Sequence, residues 1–393
     1  MLDVGEAVPF FIAPALDGNA QYAFDSAAGR PMVMLFAGSG SWAPCATALA
    51  LLAQHKAIFD DERASFFGVT IDPSDAAEGR IAQRIPGIRW FLDYDASVSR
   101  LYDAARNKDD AQHYEPFWLL LDSTLRVVRR APIGEGAAIF SSLLALTATG
   151  PEQTNAPVLT VPRVFEPELC RRLIDLYEQN GGSDSGFMRQ EGGVTVGKID
   201  HSFKRRADYT IADERLRALL MDRIKRRLVP EIQKAFQFKA TRIERWLVAR
   251  YDGESGGFFR PHRDNTTTGT AHRNFACTIN LNAEEYEGGE LRFPEFGPRT
   301  YRAPTGGAVI FSCSLLHEAL PVTRGKRYAF LPFLYDEEGH AIRARNASSI
   351  VTATALTQPN IGSDDRAVPT GELNPIAIPN GPAAEEPNAP TAR

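Results

Sequence analysis

The stretch "GGFFRPHRDNTTTG", residues 256–269, places a histidine and an aspartate two residues apart, after two aromatic residues and before a polar turn. Alternate side chains of an extended strand point to the same face, so His262 and Asp264 can face one site together. The chain has 7 histidines, so this pair is weak evidence by itself. The alternative interpretation is a solvated turn at the end of a strand.

A second histidine strengthens the case for a metal site. The segment "AVIFSCSLLHEALPVTRGKRYAFLPFLY", residues 308–335, places His317 just after an apolar run that is typical of a strand. Two imidazoles and one carboxylate form the facial triad of non-haem iron sites, which leaves coordination positions open. We expect His317 to reach His262 and Asp264 from a facing strand.

A basic residue follows at a fixed distance. Arg327 lies ten residues after His317, on the next strand-like run. Its guanidinium could bind a carboxylate of a dicarboxylic acid through two parallel hydrogen bonds. The alternative is an ordinary solvated arginine beside Lys326. Glycines in "YDGESGGFFRPH" and "YEGGELRFPEFG" favour tight hairpins beside such a site.

Taken together, residues 240–336 resemble the 2-oxoglutarate and Fe(II)-dependent dioxygenases of the prolyl 4-hydroxylase type. That family has a His-x-Asp pair, a distal histidine and a basic residue about ten positions further on. The matching residues, in order, are His262, Asp264, His317 and Arg327. A tyrosine upstream of the first histidine also matches, at Tyr251, and "LNAEEYEGGELRFP" is similar to the family's hairpin.

The resemblance implies a set of roles and cofactors. His262, Asp264 and His317 would be the metal ligands, and Arg327 with Tyr251 would bind the cosubstrate. The implied cofactors are Fe(II), 2-oxoglutarate as cosubstrate and O2, with ascorbate as an optional addition. The implied reaction hydroxylates a C–H bond and converts 2-oxoglutarate to succinate and CO2. Its substrate would be a protein, with prolyl residues the most familiar target, or a small molecule.

The N-terminal region resembles a different family. "VGEAVPFFIAPALDG" and "VMLFAGSGSWAPCATALALL" are similar to the thioredoxin-like fold in its peroxiredoxin and redoxin branch. Cys45 stands where a predicted strand ends and a helix begins, and a helix N-terminus lowers a thiol pKa. Cys45 is therefore a candidate catalytic nucleophile. In "YEPFWLLLD", Pro116 stands at the place of that fold's cis-proline.

The N-terminal region also differs from the peroxiredoxin pattern. The region has no Cys-x-x-Cys motif, and no second cysteine is present to resolve an oxidised Cys45. Gly38 and Trp42 stand where the peroxiredoxin pattern has proline and threonine. Two interpretations stay open with equal weight. The domain is a one-cysteine peroxidase resolved by an outside thiol, or it is a redox-inactive domain that binds or positions a substrate.

The pattern along the chain predicts two domains and a tail. Strand and helix patterns alternate in residues 1–150, which predicts the thioredoxin-like α/β fold. The polar stretch 151–157 is the predicted linker. Residues 158–345 contain helices and then many short strands, which favours a double-stranded β-helix (jelly roll) with flanking helices. Residues 346–393 are rich in Pro and Gly, and we expect a largely disordered tail.

Composition and charge limit the partners and the cellular location that we expect. The chain of 393 residues is 44% hydrophobic and 24% charged, with a net charge of −5. No basic face stands out, so nucleic acid is not an expected partner. No apolar run is long enough to span a bilayer, so no membrane partner is expected. The 4 cysteines are far apart and the N-terminus lacks a signal-peptide pattern, so we expect a cytoplasmic protein.

Three functional hypotheses follow. The first is the oxygenase. The second is a one-cysteine thiol peroxidase that uses Cys45, with the oxygenase-like domain regulatory. The third is a binding module built on both folds. His272 is the one rival ligand near the first pair, and we interpret it as a loop residue. In "FKRRADYTI", residues 203–211, Arg205, Arg206 and Asp208 either line a substrate entrance or form a solvated charge cluster.

Overall fold

The computed structural model describes residues 2–108, 111–148, 154–351 and the pair 371–372. The described part consists of an N-terminal α/β unit and a larger C-terminal unit of helices and short strands. None of the helices in these ranges combines the length and the apolar character that crossing a membrane requires.

The N-terminal unit alternates strands and helices as the sequence predicts. Its strands are β1 (Ile12–Ala13), β2 (Tyr22–Ala23), β3 (Met32–Gly38), β4 (Ser65–Thr70), β5 (Ile88–Leu92), β6 (Ala105–Lys108), β7 (Ala111–Tyr114), β8 (Phe117–Leu121) and β9 (Val127–Pro132). Its helices are α1 (Ala43–His55), α2 (Ser74–Ala77), α3 (Ser97–Leu101) and α4 (Gly136–Ala148). The predicted α/β organisation of this region is confirmed.

The central sheet of this unit has five strands in the order β5-β4-β3-β8-β9. Strands β3, β4 and β5 are parallel, and β8 runs antiparallel to β3. Strand β3 is buried along its whole length, because apolar clusters cover both faces of the sheet. The described residues contain one cis peptide bond, between Ile85 and Pro86. The bond before Pro116 is therefore trans, contrary to expectation.

The C-terminal unit begins with helices and continues mainly as strands. Its helices are α5 (Pro167–Asn180), α6 (Glu214–Arg227), α7 (Val229–Phe236) and α8 (Glu337–Asn346). Its strands up to the first candidate ligand are β10 (Leu159–Val161), β11 (Ser183–Asp184), β12 (Phe187–Glu191), β13 (Val194–Lys198), β14 (Lys204–Arg205), β15 (Ala207–Thr210), β16 (Arg242–Glu244), β17 (Leu247–Asp252) and β18 (Phe258–His262). The remaining strands are β19 (Phe275–Asn280), β20 (Glu287–Gly288), β21 (Leu291–Arg292), β22 (Thr300–Tyr301), β23 (Ala308–Ser312), β24 (His317–Ala319), β25 (Val322–Arg324), β26 (Lys326–Phe330), β27 (Phe333–Tyr335), β28 (Ile350–Val351) and β29 (Gly371–Glu372).

Two sheets of this unit carry the candidate site residues. The larger sheet has ten strands and contains the neighbours β15, β17, β26 and β19. The smaller has five strands in the order β14-β18-β24-β21-β22. Helices α5, α6 and α7 contribute to the apolar cluster that covers the larger sheet. Their apolar residues recur with helical spacing, as in α6, where Leu216, Leu220 and Ile224 are buried.

The predicted linker and the predicted end of the second domain can be compared with the ends of helices α4 and α8. Helix α4 ends at Ala148, just before the predicted linker. The predicted end of the second domain at residue 345 lies within the last turn of α8, which ends at Asn346. Beyond that helix, β28 pairs in parallel with β13, and β29 pairs with β16. The rest of the predicted tail, residues 352–370 and 373–393, lies outside the described residues.

Candidate metal centre

Two neighbouring strands of the smaller sheet bring the histidines together. His262 ends β18 and His317 begins β24, and the two residues stand opposite each other in the antiparallel register. Their ring centroids are 4.3 Å apart. Asp264 lies just beyond the end of β18, where its backbone amide donates to the carbonyl of Cys313 at 2.9 Å. This bond fixes the chain so that Asp264 returns to the side of the histidines.

The three side chains converge on one point. The Nε2 atom of His317 lies 3.2 Å from Asp264 Oδ2, and Nε2 of His262 lies 3.6 Å from Asp264 Oδ1. One donor atom from each residue lies within 4.8 Å of the other two, and within the described residues this is the group that could hold a metal ion. The structure thus assembles the three residues that the sequence spacing singled out.

Backbone carbonyls orient both imidazole rings. His262 Nδ1 lies 2.7 Å from the carbonyl of Arg260, and His317 Nδ1 lies 3.0 Å from that of Leu315. A carbonyl only accepts hydrogen bonds, so each Nδ1 carries the proton. The Nε2 atom of each ring is then the one that faces Asp264. Metal-ligating histidines are held in this way, with the second nitrogen donating to a fixed acceptor.

The charges of the group suit a divalent cation. Burial, followed by the neighbouring His317, lowers the pKa of His262 to about 4, so this imidazole is neutral at pH 7. Burial would raise the pKa of Asp264, but the two histidines hold it well below its usual value. Two imidazole nitrogens and one carboxylate oxygen are the donor set of the facial triad, which suits ferrous iron and leaves open positions.

An aromatic residue and a lysine pack behind His262, and the sequence analysis missed both. The ring of Phe259 stacks on that of His262 at a centroid distance of 3.5 Å. The side-chain nitrogen of Lys204 lies over the Phe259 ring, 4.7 Å from its centroid. Lys204 is buried, and burial lowers its pKa well below the usual value. The pairing of β14 with β18 stacks Lys204, Phe259 and His262 in one column. Nothing in the local sequence signals that pairing.

Arg327 and Tyr251 lie together on the larger sheet. They are paired residues of β26 and β17, and both are buried. The guanidinium carbon lies 4.9 Å from the centre of the tyrosine ring. Within the described part of the chain, Nε and Nη1 of Arg327 have no hydrogen-bond partner. Buried donors are almost always paired, so these two atoms indicate an absent acceptor. The alternative of a solvated arginine is wrong.

The basic segment before α6 is partly buried, next to Tyr251. Arg206 is buried and binds Asp208 through Nε and Nη2, at 2.7 and 2.6 Å. Its Nη1 lies 3.4 Å from the hydroxyl of Tyr251. Arg205 is exposed and binds two backbone carbonyls. The hypothesis of a solvated cluster therefore fails for Arg206 and Asp208, while Arg206, unlike Arg327, already has its carboxylate.

The rival histidine has a structural role. His272 is buried, and its Nε2 lies 3.1 Å from Glu244 Oε2. Its ring packs edge-on against Tyr335. It does not belong to the group of converging donors. The interpretation of His272 as a mere loop residue understated its burial, because sequence spacing carries no information on its partner Glu244.

Cys45 differs from the expected reactive thiol. It is fully buried in the first turn of α1, and its thiol donates to the carbonyl of Ala37 at 2.9 Å. Burial, with the charge of Asp75, raises the pKa of Cys45 to about 11. The expectation of a lowered pKa is wrong, because desolvation outweighs the helix N-terminus at this depth.

This environment predicts slow chemistry at Cys45. At pH 8 a thiol with this pKa is about 0.1% ionised, so we expect N-ethylmaleimide to modify native Cys45 on the order of 100-fold more slowly than the denatured chain. The measurement is mass spectrometry of digests taken over time. Cys170, Cys277 and Cys313 are also buried and serve as internal controls. Fast labelling of Cys45 alone, or sulfenic acid there after peroxide treatment, would restore the thiol peroxidase hypothesis.

Comparison with solved structures gives neighbours for each unit. A Trichoplax adhaerens prolyl hydroxylase in complex with a peptide fragment has a TM-score of 0.35 and 18% identity, and the alignment covers 48% of this chain and 87% of that one. A Pseudomonas putida prolyl-4-hydroxylase has a TM-score of 0.35 and 16% identity, covering 46% and 93%. The Mycobacterium tuberculosis peroxidoxin BcpB has a TM-score of 0.31 and 18% identity, covering 39% and 100%.

Sequence comparison identifies the C-terminal region. Residues 246–335 match the 2OG-Fe(II) oxygenase superfamily. A PKHD-type hydroxylase of Maricaulis maris is 29% identical over 184 residues, which is 44% of this chain and 74% of the relative. Another, from Verminephrobacter eiseniae, is 38% identical over 90 residues, which is 21% of this chain and 39% of that relative. The C-terminal region therefore carries a 2OG-Fe(II) oxygenase domain that is related in sequence to PKHD-type hydroxylases.

Proposed function

We propose that the C-terminal domain is an Fe(II)- and 2-oxoglutarate-dependent dioxygenase that hydroxylates a C–H bond of a protein or small-molecule substrate. The observation that carries the proposal is the convergence of His262, Asp264 and His317, with both Nε2 atoms turned toward the carboxylate. These residues would hold Fe(II) on one face. The bound iron would supply oxygen activation coupled to the decarboxylation of 2-oxoglutarate to succinate and CO2.

The residues around the triad have distinct tasks in this proposal. Arg327 binds the far carboxylate of 2-oxoglutarate through its buried guanidinium, whose Nε and Nη1 have no partner among the described residues, and the Tyr251 ring packs against that guanidinium. The salt bridge to Asp208 keeps Arg206 beside the Tyr251 hydroxyl. The stacking of Phe259 on His262 holds that ring in its ligating orientation.

The arrangement of the two sheets supports the same proposal. The triad lies on or next to β18 and β24 of the smaller sheet, while Arg327 and Tyr251 lie on β26 and β17 of the larger one. We infer that the two sheets form a double-stranded β-helix with the site between them, because each sheet supplies one half of the binding groups. The ring of Phe311 in β23 lies 4.5 Å from that of His317, and Phe311 belongs with Val309 to an apolar cluster that would exclude water from the site.

The substrate is proposed as a class. The relatives are named hydroxylases, and two of the structural neighbours are named prolyl hydroxylases. A protein or peptide with prolyl residues is therefore the first candidate, and a small molecule is the second. We propose that the enzyme acts in the cytoplasm and uses neither nucleic acid nor a membrane as a partner. Ascorbate remains a proposed optional addition to the assay.

The test is an anaerobic titration of the purified protein with Fe(II) and then 2-oxoglutarate. We expect a visible metal-to-ligand charge-transfer band in the parent protein and none in Asp264→Ala. Iron without 2-oxoglutarate is the control for nonspecific absorbance, and circular dichroism verifies that the variant is folded. A folded parent protein that gives no band with both components would refute the proposed function.

A further inference from the structure

The residue between the first two candidate ligands turns away from them, toward the N-terminal unit. Arg263 lies between His262 and Asp264, so the alternation of an extended chain points its side chain to the opposite side. There the Arg263 side chain is 5% exposed. Its Nε donates to Asp25 Oδ2 at 3.0 Å, and the Phe10 ring lies 5.4 Å from its central carbon. Both of these partners belong to the N-terminal unit.

The residue before the third candidate ligand also turns toward the N-terminal unit. Leu316, which precedes His317, is fully buried in an apolar cluster whose other members all belong to the N-terminal unit, among them Phe24 and Leu125. Its backbone amide donates to Glu295 Oε2 at 2.9 Å. Each of the two ligand-bearing segments therefore has an anchor in or against the N-terminal unit, one ionic and one apolar.

Glu295 connects the two anchors. Its carboxylate accepts from Nη1 and Nη2 of Arg263 at 3.1 and 2.9 Å, and from the amide of Leu316. One carboxylate thus spans the backbone on both sides of the candidate metal centre. Bidentate arginine–carboxylate pairs are geometrically specific, and this one is buried, so it fixes a distance between the two segments.

The N-terminal unit also holds the turn that carries Glu295. The hydroxyl of Ser123 donates to the carbonyl of Glu295 at 3.1 Å. Gly29 lies so close to Pro294 that a Cβ atom at position 29 would be 2.5 Å from the Pro294 Cβ. Its φ of +100° is also one that glycine adopts readily. The contact is therefore close-packed on both sides and leaves the turn no room to shift.

We propose that the N-terminal unit is a rigid support for the metal centre, and that Arg263, clamped between Asp25 and Glu295, is the positioning residue that transmits this support to the ligands. The proposal rests on the proposed function of the C-terminal domain. It gives the thioredoxin-like unit a role that needs no thiol chemistry, in agreement with the buried Cys45. Undocking the unit would loosen the spacing of His262, Asp264 and His317, and so weaken metal binding.

The test uses the full chain and the substitution Asp25→Ala, which removes the N-terminal half of the clamp without altering the C-terminal domain. We expect Fe(II) to bind about 10-fold more weakly, which is the lower end of the loss found when a group bonded directly to a metal ligand is removed, because Asp25 acts on the ligands through Arg263. The readout is the Fe(II) dependence of the charge-transfer band at saturating 2-oxoglutarate. At saturating iron, the affinity for 2-oxoglutarate should be unchanged, because Arg327 and Tyr251 lie on other strands.

A matched control separates support from general stability. Asp61 makes a bidentate ion pair with Arg89 inside the N-terminal unit, at 2.8 and 2.6 Å. Asp61→Ala should lower the melting temperature of the protein and leave Fe(II) affinity unchanged. If Asp25→Ala does not fold, Asp25→Asn keeps the side-chain volume and tests the same charge.

Each outcome decides one question. No band in the parent protein would overturn the proposed function itself. A band in the parent with equal Fe(II) affinity in the folded Asp25 variant would overturn the support role alone. Equal weakening in the Asp25 and Asp61 variants would also overturn it, because the loss would then reflect stability and not the clamp. Weakening in the Asp25 variant alone would establish it.

Discussion

Replacing His317 by alanine is expected to weaken Fe(II) binding by more than about 100-fold and to abolish turnover of 2-oxoglutarate. The substitution removes one of three donors, and losing only a supporting partner of a ligand already costs about 10- to 100-fold in affinity. His317 Nε2 is also the nitrogen nearest to the Asp264 carboxylate, at 3.2 Å. The measurement is the anaerobic charge-transfer titration, followed by a succinate assay in air.

The matched control for this variant is His272→Ala. His272 is equally buried but bonds to Glu244 outside the triad. Its loss leaves a buried carboxylate with one partner fewer, so we expect a destabilisation of about 1–3 kcal/mol with the iron band retained. A band that survives in His317→Ala, or disappears in a folded His272→Ala, would show that the metal site has been assigned to the wrong histidine.

The second large effect is expected at Arg327, where binding and stability should change in opposite directions. Arg327→Met removes the proposed charge-assisted contact to the far carboxylate, so 2-oxoglutarate should bind at least about 100-fold more weakly. The same substitution removes a buried cation whose Nε and Nη1 lack partners among the described residues. Without ligand, the variant should therefore be more stable than the parent, with a free energy of unfolding about 1–2 kcal/mol higher.

Arg206→Met is the control, because Arg206 is buried but already paired. Removing it leaves the Asp208 carboxylate without its bidentate partner, so the variant should lose about 3–5 kcal/mol of stability. Chemical denaturation of both variants without ligand, together with 2-oxoglutarate titrations at saturating iron, gives the comparison. Destabilisation of Arg327→Met similar to that of Arg206→Met would mean that Arg327 is a structural residue and not a binding group held in readiness.

The sequence by itself determined the chemistry of the candidate site. The spacing pointed to His262, Asp264 and His317, which converge in the fold, and to Arg327 and Tyr251, which pair on the larger sheet. Period-2 alternation is the reason that the spacing was informative, because it puts His262 and Asp264 on one side of an extended chain, and the bond of the Asp264 amide to Cys313 holds the chain there. The alternation of strands and helices likewise predicted the α/β unit, since each element is specified by its own local pattern.

Only the tertiary structure decided what surrounds those residues. The thiol pKa of Cys45 depends on burial, which a helix-start pattern does not reveal. The stacking of Phe259 on His262 depends on the local path of β18, and the approach of Lys204 depends on the pairing of β14 with β18. Arg263 faces Asp25 across 238 residues of sequence, a separation at which no local pattern carries information. Contacts between distant segments are set by how the two units dock. For that reason the sequence predicted which side chains could bind the metal, while the packing that holds them in place emerged only in the folded chain.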